Sequence, residues 1–403
     1  MRISTNQIFE AGTRNLLNGQ SNLYKIQNQL STGRRFLSAQ EDPVAAAQVL
    51  LTNQSLAINS QYADNQSNAS SQLAYAESRL QSVVESVQDI MERVVAGGNA
   101  SYSDSERGFI AEELRSQFDL LMGIANSRDA NGYYLFSGYQ GNTQPFQKLA
   151  SGGVHYFGDD GQRLLQVGPS RQIAVSDSGR QVFENSRSGN GTFSLAAGSS
   201  NTGTGILGAG SVLDASQWTG NNYQIAFTSA TNYEIRNTDT TPVTVVGSYT
   251  YAADAAITDV PGISFSISGT PVAGDTFTVS PSTKQSIFAT LDNLITAFST
   301  GISGNAAATA GFRNTLNAEM ANLSGILDNV LTVQASIGTR MNELDSLSSM
   351  SSALDLQYQE RLSNLQDVDY AAAISAFAQQ RMQLEAAQSS FAKVSGMSLF
   401  NYL

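Results

Sequence analysis

Apolar residues recur every seven positions near both ends of the chain, and this spacing restricts the fold more than any other feature. The recurring residues are Phe9, Leu16, Leu23 and Leu30 near the start, and Tyr370, Phe377, Leu384 and Phe391 near the end. A repeat of seven places one narrow apolar stripe along a helix, as in the seam of a coiled coil. An ordinary amphipathic surface helix is the alternative interpretation of the first stripe, but the matching stripe at the other end favours a helical bundle.

The first stripe is thin, and Gly12 and Gly19 lie inside it. Each Gly costs a helix about 1 kcal/mol relative to Ala, and an isolated helix of this kind should be marginal in water. We expect this helix to end near Gly33 and the next to begin at Pro43 with Asp42 as its N-cap. Because such helices need partners to bury their stripes, the pattern predicts assembly.

Further repeats of seven predict two long internal helices. One contains Leu73, Leu80, Val87 and Val94 and stops at Gly97-Gly98, and the other contains Leu316, Leu323, Val330, Ile337 and Leu344. Capping-box spacing at Ser103 and Glu106 predicts another helix that runs through Arg128. The same spacing at Ser282 and Gln285 predicts where helical structure resumes after the middle of the chain.

The middle of the chain, residues 181–280, is rich in Gly, Ser and Thr and alternates apolar and polar residues with a period of two. This alternation predicts an inserted antiparallel β-domain. The expected fold class is α+β, with a long antiparallel coiled-coil-like helical bundle formed by both chain ends. We predict paired terminal helices at 1–42 and 362–403 and a helical rod at 43–180 and 281–361, with the β-domain between them.

Composition excludes several classes of function. The formal net charge is −12 and only four lysines occur, so the chain lacks the clustered cations that nucleic acids or anionic membranes require. There are no cysteines and no run of 18 apolar residues, which excludes disulfides, Cys-based zinc sites and a membrane-spanning helix. The first residues lack the apolar core of a secretory signal, so we expect a cytoplasmic protein or export without a cleavable signal.

No pattern in the sequence predicts a catalytic, cofactor-binding or metal site. The only histidine, His155, has no orienting partner or nucleophile nearby in sequence and is interpreted as a surface or strand residue. Asp159-Asp160-Gly161 is interpreted as a hairpin turn, and Gly203–Gly208, a formal GxGxxG match, as a loop. Aromatic residues in the β-domain suit core packing, while a sugar-binding face stays an alternative; they are Trp218, Tyr223, Tyr233, Tyr249 and Tyr251.

Several segments at the two ends resemble the flagellin superfamily, and most closely its hook–filament junction, or FlgL, family of hook-associated proteins. They are residues 2–6 (RISTN), 29–35 (QLSTGRR), 41–47 (EDPVAAA), 130–140 (ANGYYLFSGYQ), 367–370 (DVDY) and 398–403 (SLFNYL). The segment Leu37-Ser38-Ala39-Gln40, shortly before Asp42, departs slightly from the family's usual sequence. The resemblance covers roughly residues 1–180 and 281–403, whereas the β-domain resembles the family's variable outer domain only loosely.

The resemblance implies a structural, non-enzymatic subunit of the extracellular bacterial flagellum that joins hook to filament and provides the platform for flagellin assembly. It implies an inner tube of terminal helices, a helical rod with a β-hairpin and an outward β-domain. The implied partners are further copies in a ring, the second hook-associated junction protein, flagellin and a dedicated export chaperone. We expect the chaperone to bind the C-terminal stripe at Phe377, Leu384 and Phe391, because an amphipathic helix can lay one face in a groove. Flagellin itself is the nearest alternative, and a sugar-binding adhesin is a more distant one.

Overall fold

The computed structural model describes residues 5–150 and 152–396. Its helices are α1 (Thr5–Thr32), α2 (Pro43–Gly97), α3 (Asp104–Ala125), α4 (Gly179–Phe183), α5 (Ile287–Ser299), α6 (Ala306–Gln366) and α7 (Tyr370–Gly396). The first and last resemblance segments, residues 2–6 and 398–403, lie largely or wholly outside the described residues. Within the described ranges, no helix combines the length and hydropathy needed to cross a membrane.

The strands are short and all pair antiparallel. They are β1 (Phe146–Lys148), β2 (Val154–Tyr156), β3 (Leu164–Gly168), β4 (Arg171–Ala174), β5 (Ser186–Arg187), β6 (Phe193–Ala197), β7 (Ile206–Leu207), β8 (Ser211–Val212), β9 (Tyr223–Ser229), β10 (Asn232–Asn237), β11 (Thr244–Thr250), β12 (Ala256–Ile257), β13 (Ile263–Ser268), β14 (Thr276–Pro281) and β15 (Lys284–Gln285). Helices at both ends of the chain and an inserted antiparallel β-domain confirm the predicted fold class.

The chain divides into two compact units. One consists of Met1–Asn65 and Ser346–Leu403, and the other of Gln66–Asp345. The helices α2 and α6 run through both units, so each unit contains part of each long helix. The three-part division predicted from the sequence uses other boundaries and stays a prediction.

Several helix boundaries follow the capping signals in the sequence. Gly33 has a φ of +69° just after α1, and Asp42 accepts a hydrogen bond of 2.9 Å from the Ala45 N–H at the start of α2. Ser103 and Glu106 form a complete capping box at the start of α3. These three predictions are confirmed, although α3 ends at Ala125 and does not reach Arg128.

Two local predictions were wrong because pairing between distant segments outweighs local spacing. Ser282 does not open a helix, since Lys284 and Gln285 pair as β15 with β5 and Ser286 caps α5 instead. Asp159-Asp160-Gly161 is no hairpin turn, because it lies in the loop between β2 and β3, which belong to different sheets. There, the Asp159 carboxylate accepts hydrogen bonds from the backbone N–H groups of Tyr139 and Gly161.

The long internal helices bury the stripes that the sequence predicts. Every predicted heptad position of α2 and α6 in the larger unit is buried; these are Leu73, Leu80, Val87, Val94, Leu316, Leu323, Val330, Ile337 and Leu344. A cluster of aromatic rings joins α3, α4 and α5 to β1. The centroid of the Phe146 ring lies within 5.4 Å of the ring centroids of Phe183 and Phe288. The resemblance segment at 130–140 belongs to this core, since Tyr134, Leu135 and Phe136 are buried.

The β-domain has its own apolar core between a five-stranded sheet and a smaller one. The larger sheet has the order β11-β10-β9-β14-β6, and β13 is the centre of the smaller sheet, where it pairs with β7, β8 and β12. Tyr223 and Tyr233 are buried in this core, and Trp218, Tyr249 and Tyr251 pack against it. The core-packing interpretation of these aromatic residues is confirmed.

The two remaining candidate motifs are His155 and the Gly203–Gly208 segment. His155 is exposed on β2, and its ring lies 4.7 Å from that of Phe157. The Gly203–Gly208 segment is an irregular stretch that contains the two-residue strand β7, and no helix follows it as a dinucleotide site requires.

Side-chain amides from α6 attach the β-domain to the helices within the larger unit. Asn314 donates to the Gly205 carbonyl at 2.9 Å and accepts from the Leu207 N–H at 2.7 Å. Asn322 accepts from the Gly189 N–H at 2.8 Å. Because backbone groups of the β-domain find their partners on α6, these bonds fix where the domain sits on that helix.

Candidate subunit-packing surface

The predicted apolar stripes of the two terminal helices face each other within one chain. The helices α1 and α7 lie antiparallel, and the rings of Phe9 and Phe391 are 5.0 Å apart. Five further stripe residues are half-buried: Leu16, Leu23, Leu30, Phe377 and Leu384. Phe9 and Tyr370 remain 54% and 53% exposed, so pairing of the two helices leaves part of the stripes uncovered.

Glycines set the distance between these two helices. A Cβ atom added at Gly12 would lie 2.6 Å from the Phe391 ring, and one added at Gly19 would lie 3.2 Å from Leu384. Gly12 and Gly19 are seven residues apart on α1, and their partners Phe391 and Leu384 are seven residues apart in the opposite direction on α7. Sequence reasoning treated both glycines as a cost to the helix and missed this role, although their spacing of seven carried the signal.

The turn between α1 and α2 is tied to the turn between α6 and α7. The Arg35 N–H donates to the Gln366 carbonyl at 2.7 Å, and the Val368 N–H donates to the Gly33 carbonyl at 2.9 Å. A Cβ atom added at Gly33 would lie 3.0 Å from the Tyr370 hydroxyl, closer than ordinary van der Waals contact. Three of the resemblance segments, around Gly33, Asp42 and residues 367–370, therefore meet at one place in the smaller unit.

Charged side chains on the surface also stabilise the geometry of these two turns. Arg35 pairs with Asp42 at 3.1 Å, and Lys25 lies 3.9 Å from Glu41. The Asp369 carboxylate accepts from the Ala372 N–H at 3.0 Å and caps α7. Exposed pairs of this kind contribute at most about 1 kcal/mol each, so they fix the geometry of the turn more than they stabilise the unit.

Comparison with family models shows that both ends of the chain match the helical regions of bacterial flagellins. Residues 3–141 match the bacterial flagellin N-terminal helical region, and residues 320–403 match the bacterial flagellin C-terminal helical region. Residues 196–281 match the D2-like domain of flagellar hook-associated protein 1.

Relatives narrow this class to one family. Flagellar hook-associated protein 3 of Salmonella typhimurium is 28% identical over 400 residues, which cover 99% of each chain. The crystal structure of Xanthomonas campestris FlgL is 30% identical and covers 73% of this chain and 99% of its own, with a TM-score of 0.68. The flagellar junction protein FlgL from Legionella pneumophila is 28% identical. Its structure covers 80% of this chain and 100% of its own length, with a TM-score of 0.71. The chain belongs to the FlgL family of flagellar hook-associated proteins, which confirms the resemblance seen in the sequence.

Proposed function

We propose that this chain is the structural subunit that joins the hook to the filament of a bacterial flagellum. The observation that carries the proposal is full-length similarity to hook-associated protein 3, because 99% of each chain is covered. The paired terminal helices support a mechanical role, since their stripes stay partly exposed in the single chain. Full burial of such a side chain stabilises by about 1.5–3 kcal/mol, so contacts repeated around a ring can order weak helices.

The role in assembly is structural and not enzymatic. Copies pack through the partly covered residues of α1 and α7: Phe9, Leu16, Leu23, Leu30, Tyr370, Phe377, Leu384 and Phe391. The resulting ring lies in the flagellar axis outside the cell, with the second hook-associated protein on the hook side and flagellin on the filament side. Head-to-tail contacts between copies are heterologous and allow an open axial stack.

A deletion strain separates this role from that of flagellin, the nearest alternative. Without a junction subunit, flagellin has no platform, so we expect flagellin to be released into the medium. Loss of the filament subunit would instead leave hooks that end in junction proteins. Capped hooks in the deletion strain, seen by electron microscopy together with no flagellin in the medium, would contradict the proposal.

Before assembly, the C-terminal stripe serves as the binding surface for the export chaperone. Phe377, Leu384 and Phe391 lie seven apart on α7, as expected of a helix that lays one face in a groove. Leu384 and Phe391 pack against α1 in the folded chain, so the chaperone binds this stripe while α1 and α7 are apart. We expect Phe377→Asp with Leu384→Asp to weaken chaperone pull-down by roughly tenfold or more, since each tenfold step equals about 1.4 kcal/mol.

A matched variant separates loss of the apolar stripe from the effect of added charge. Ala376 and Ala386 lie on α7 outside the stripe and are exposed. Ala376→Asp with Ala386→Asp introduces the same charge and should leave chaperone capture unchanged. Equal binding by both double variants would refute the assignment of this surface.

A further inference from the structure

The first part of α2 buries polar residues where the rest of the helix buries apolar ones. From Leu73 onward, every seventh residue is apolar and buried, whereas the preceding positions in the same series include Thr52 and Asn59. The Asn59 side chain donates to the Ser351 carbonyl on α6 at 2.8 Å. Contact between α2 and α6 in the smaller unit is therefore made in part by hydrogen bonds.

The apolar residues of this segment lie on the outside instead. Val44, Leu51 and Ile58 are spaced by seven and are 69%, 63% and 42% exposed. Residues 43–63 contain no charged side chain. A solvent-exposed helical face normally carries charges, and an exposed apolar stripe with a polar rim marks an interaction site.

The spacing indicates what kind of surface covers the stripe. A period of seven keeps an apolar seam in contact with a second helix over several turns. A partner with unpaired charges at the contact would lose their hydration without compensation, so the face of the covering helix that meets the stripe must be uncharged as well. The smaller unit carries such helical faces itself: residues 15–24 and 346–354 contain no charge, and Leu17, Tyr24 and Met350 are exposed on them.

We propose that Val44, Leu51 and Ile58 form a docking stripe that is covered by a helix of a second copy of this chain. The inference rests on the proposed function, since stacked copies bring their smaller units together. It differs from the predicted α1 and α7 stripes, which are partly covered within the chain. Because the docking stripe and the uncharged faces are different surfaces of one molecule, the contact is heterologous and can repeat along a stack.

Charge substitution on the docking stripe tests the proposal in a strain that lacks the chromosomal copy. Leu51→Asp with Ile58→Asp should reduce the number of filaments per cell by roughly tenfold or more, one tenfold step being about 1.4 kcal/mol of contact free energy. The matched control is Asn53→Asp with Ser60→Asp, since both residues are exposed on the other side of the buried Thr52–Asn59 row. This control should restore filaments to the wild-type number.

The failure of this inference and the failure of the proposed function give different results. If the wild-type chain does not restore filaments, the proposed function fails. If the wild-type chain restores them and both double variants behave alike, only the docking stripe is refuted. Circular dichroism of the purified chains should show equal helix content, because all four substituted residues are exposed.

Photo-crosslinking identifies the occupant and does not depend on how well the charged variants are exported. A benzophenone amino acid at position 51, in intact flagella, should give an adduct of two copies of this chain, and one at position 53 should not. Mass spectrometry of the adduct identifies the crosslinked residues. An adduct with another flagellar protein only, or no adduct at position 51, would overturn the assignment of a second copy.

Discussion

Gly12 and Gly338 both lie inside helices, but their surroundings give them opposite roles. A Cβ atom at Gly12 would lie 2.6 Å from the Phe391 ring, whereas one at Gly338 on α6 would meet nothing within 4 Å. At an open helical position, Ala stabilises relative to Gly by about 0.5–1 kcal/mol because it restricts the unfolded chain. At a tight position, the ring must move before that gain is realised.

We therefore expect Gly338→Ala to raise the free energy of unfolding by about 0.5–1 kcal/mol and Gly12→Ala to lower the helix content of the terminal pair. Thermal melts followed by circular dichroism measure both. Gly12→Ala in a Phe391→Ala background is the control, since removal of the ring should make the extra methyl group tolerable. A stabilising Gly12→Ala substitution in the wild-type background would contradict the packing described here.

Glu319 is a buried carboxylate whose hydrogen-bond donors in the described structure are uncharged side chains. Asn293 and Asn322 donate to its two oxygens at 2.7 and 2.8 Å, and Asn322 also holds the Gly189 N–H of the β-domain. Burial raises the pKa of Glu319 above its ordinary value of 4.5, and the hydrogen bonds from these amides and from Thr290 offset only part of this effect. The charged form is therefore a cost to the folded state.

The sign of this cost determines a pH-dependent prediction. A carboxyl with a raised folded-state pKa contributes stability below its unfolded value of 4.5, and that contribution is lost as the pH rises through the raised pKa. Glu319→Gln stays neutral, and the exposed Asn293 amide can rotate to suit it. We expect its urea midpoint to exceed that of the wild type near pH 7 and the difference to shrink near pH 4.

Glu343, on the same helix, supplies the opposite control. Its hydrogen bond with Arg171 lowers the pKa of Glu343, so Glu343→Gln should slightly lower stability near pH 7. If Glu319→Gln were less stable than the wild type near pH 7, the prediction would be wrong. The charged Glu319 side chain would then stabilise the folded state and not destabilise it.

At the scale of elements, α2 shows how one helix serves two environments. Leu80 is fully buried in the larger unit, whereas Leu51 is 63% exposed in the smaller one. The helix is continuous, and both residues occur in runs with a spacing of seven. Only the contacts made by each part decide whether an apolar residue stabilises the single chain or stays available for another surface.

We expect Leu80→Ala to lower the free energy of unfolding of the unassembled chain by about 2–5 kcal/mol, as for other buried leucines, and Leu51→Ala to change it by less than about 0.5 kcal/mol. Urea unfolding of purified protein measures both values. A large loss of stability for Leu51→Ala would mean that this side chain is covered within the single chain, which would also remove the basis of the docking stripe.

At the scale of the whole molecule, the two units differ in how much apolar surface they bury. Most of the buried apolar residues belong to residues 66–345, while the α1 and α7 stripes are only half-covered. Local opening of a segment costs little free energy when few apolar contacts hold it. The terminal helices should therefore open more readily than the rest of the chain.

Hydrogen exchange detected by mass spectrometry should show this difference in the unassembled chain. We expect amides of α1 and α7 to exchange at least about a hundredfold faster than those of the buried α2 segment 73–94, a difference of about 2.7 kcal/mol in opening free energy. Exchange in α1 and α7 should slow on assembly into flagella. Equal protection throughout the free chain would contradict the view that the terminal helices depend on neighbouring copies.

The sequence by itself determined the helical ends, the inserted β-domain, the buried stripes of α2 and α6 and the caps at Gly33, Asp42 and Ser103. These features depend on periodicity and on caps within a few residues, which act locally whatever the rest of the chain does. Tertiary structure decided the cap at Ser286, the role of Gly12, the burial of Glu319 and the outward face of Leu51. Each depends on contacts between segments far apart in sequence, and their register is set by the packing of the whole fold.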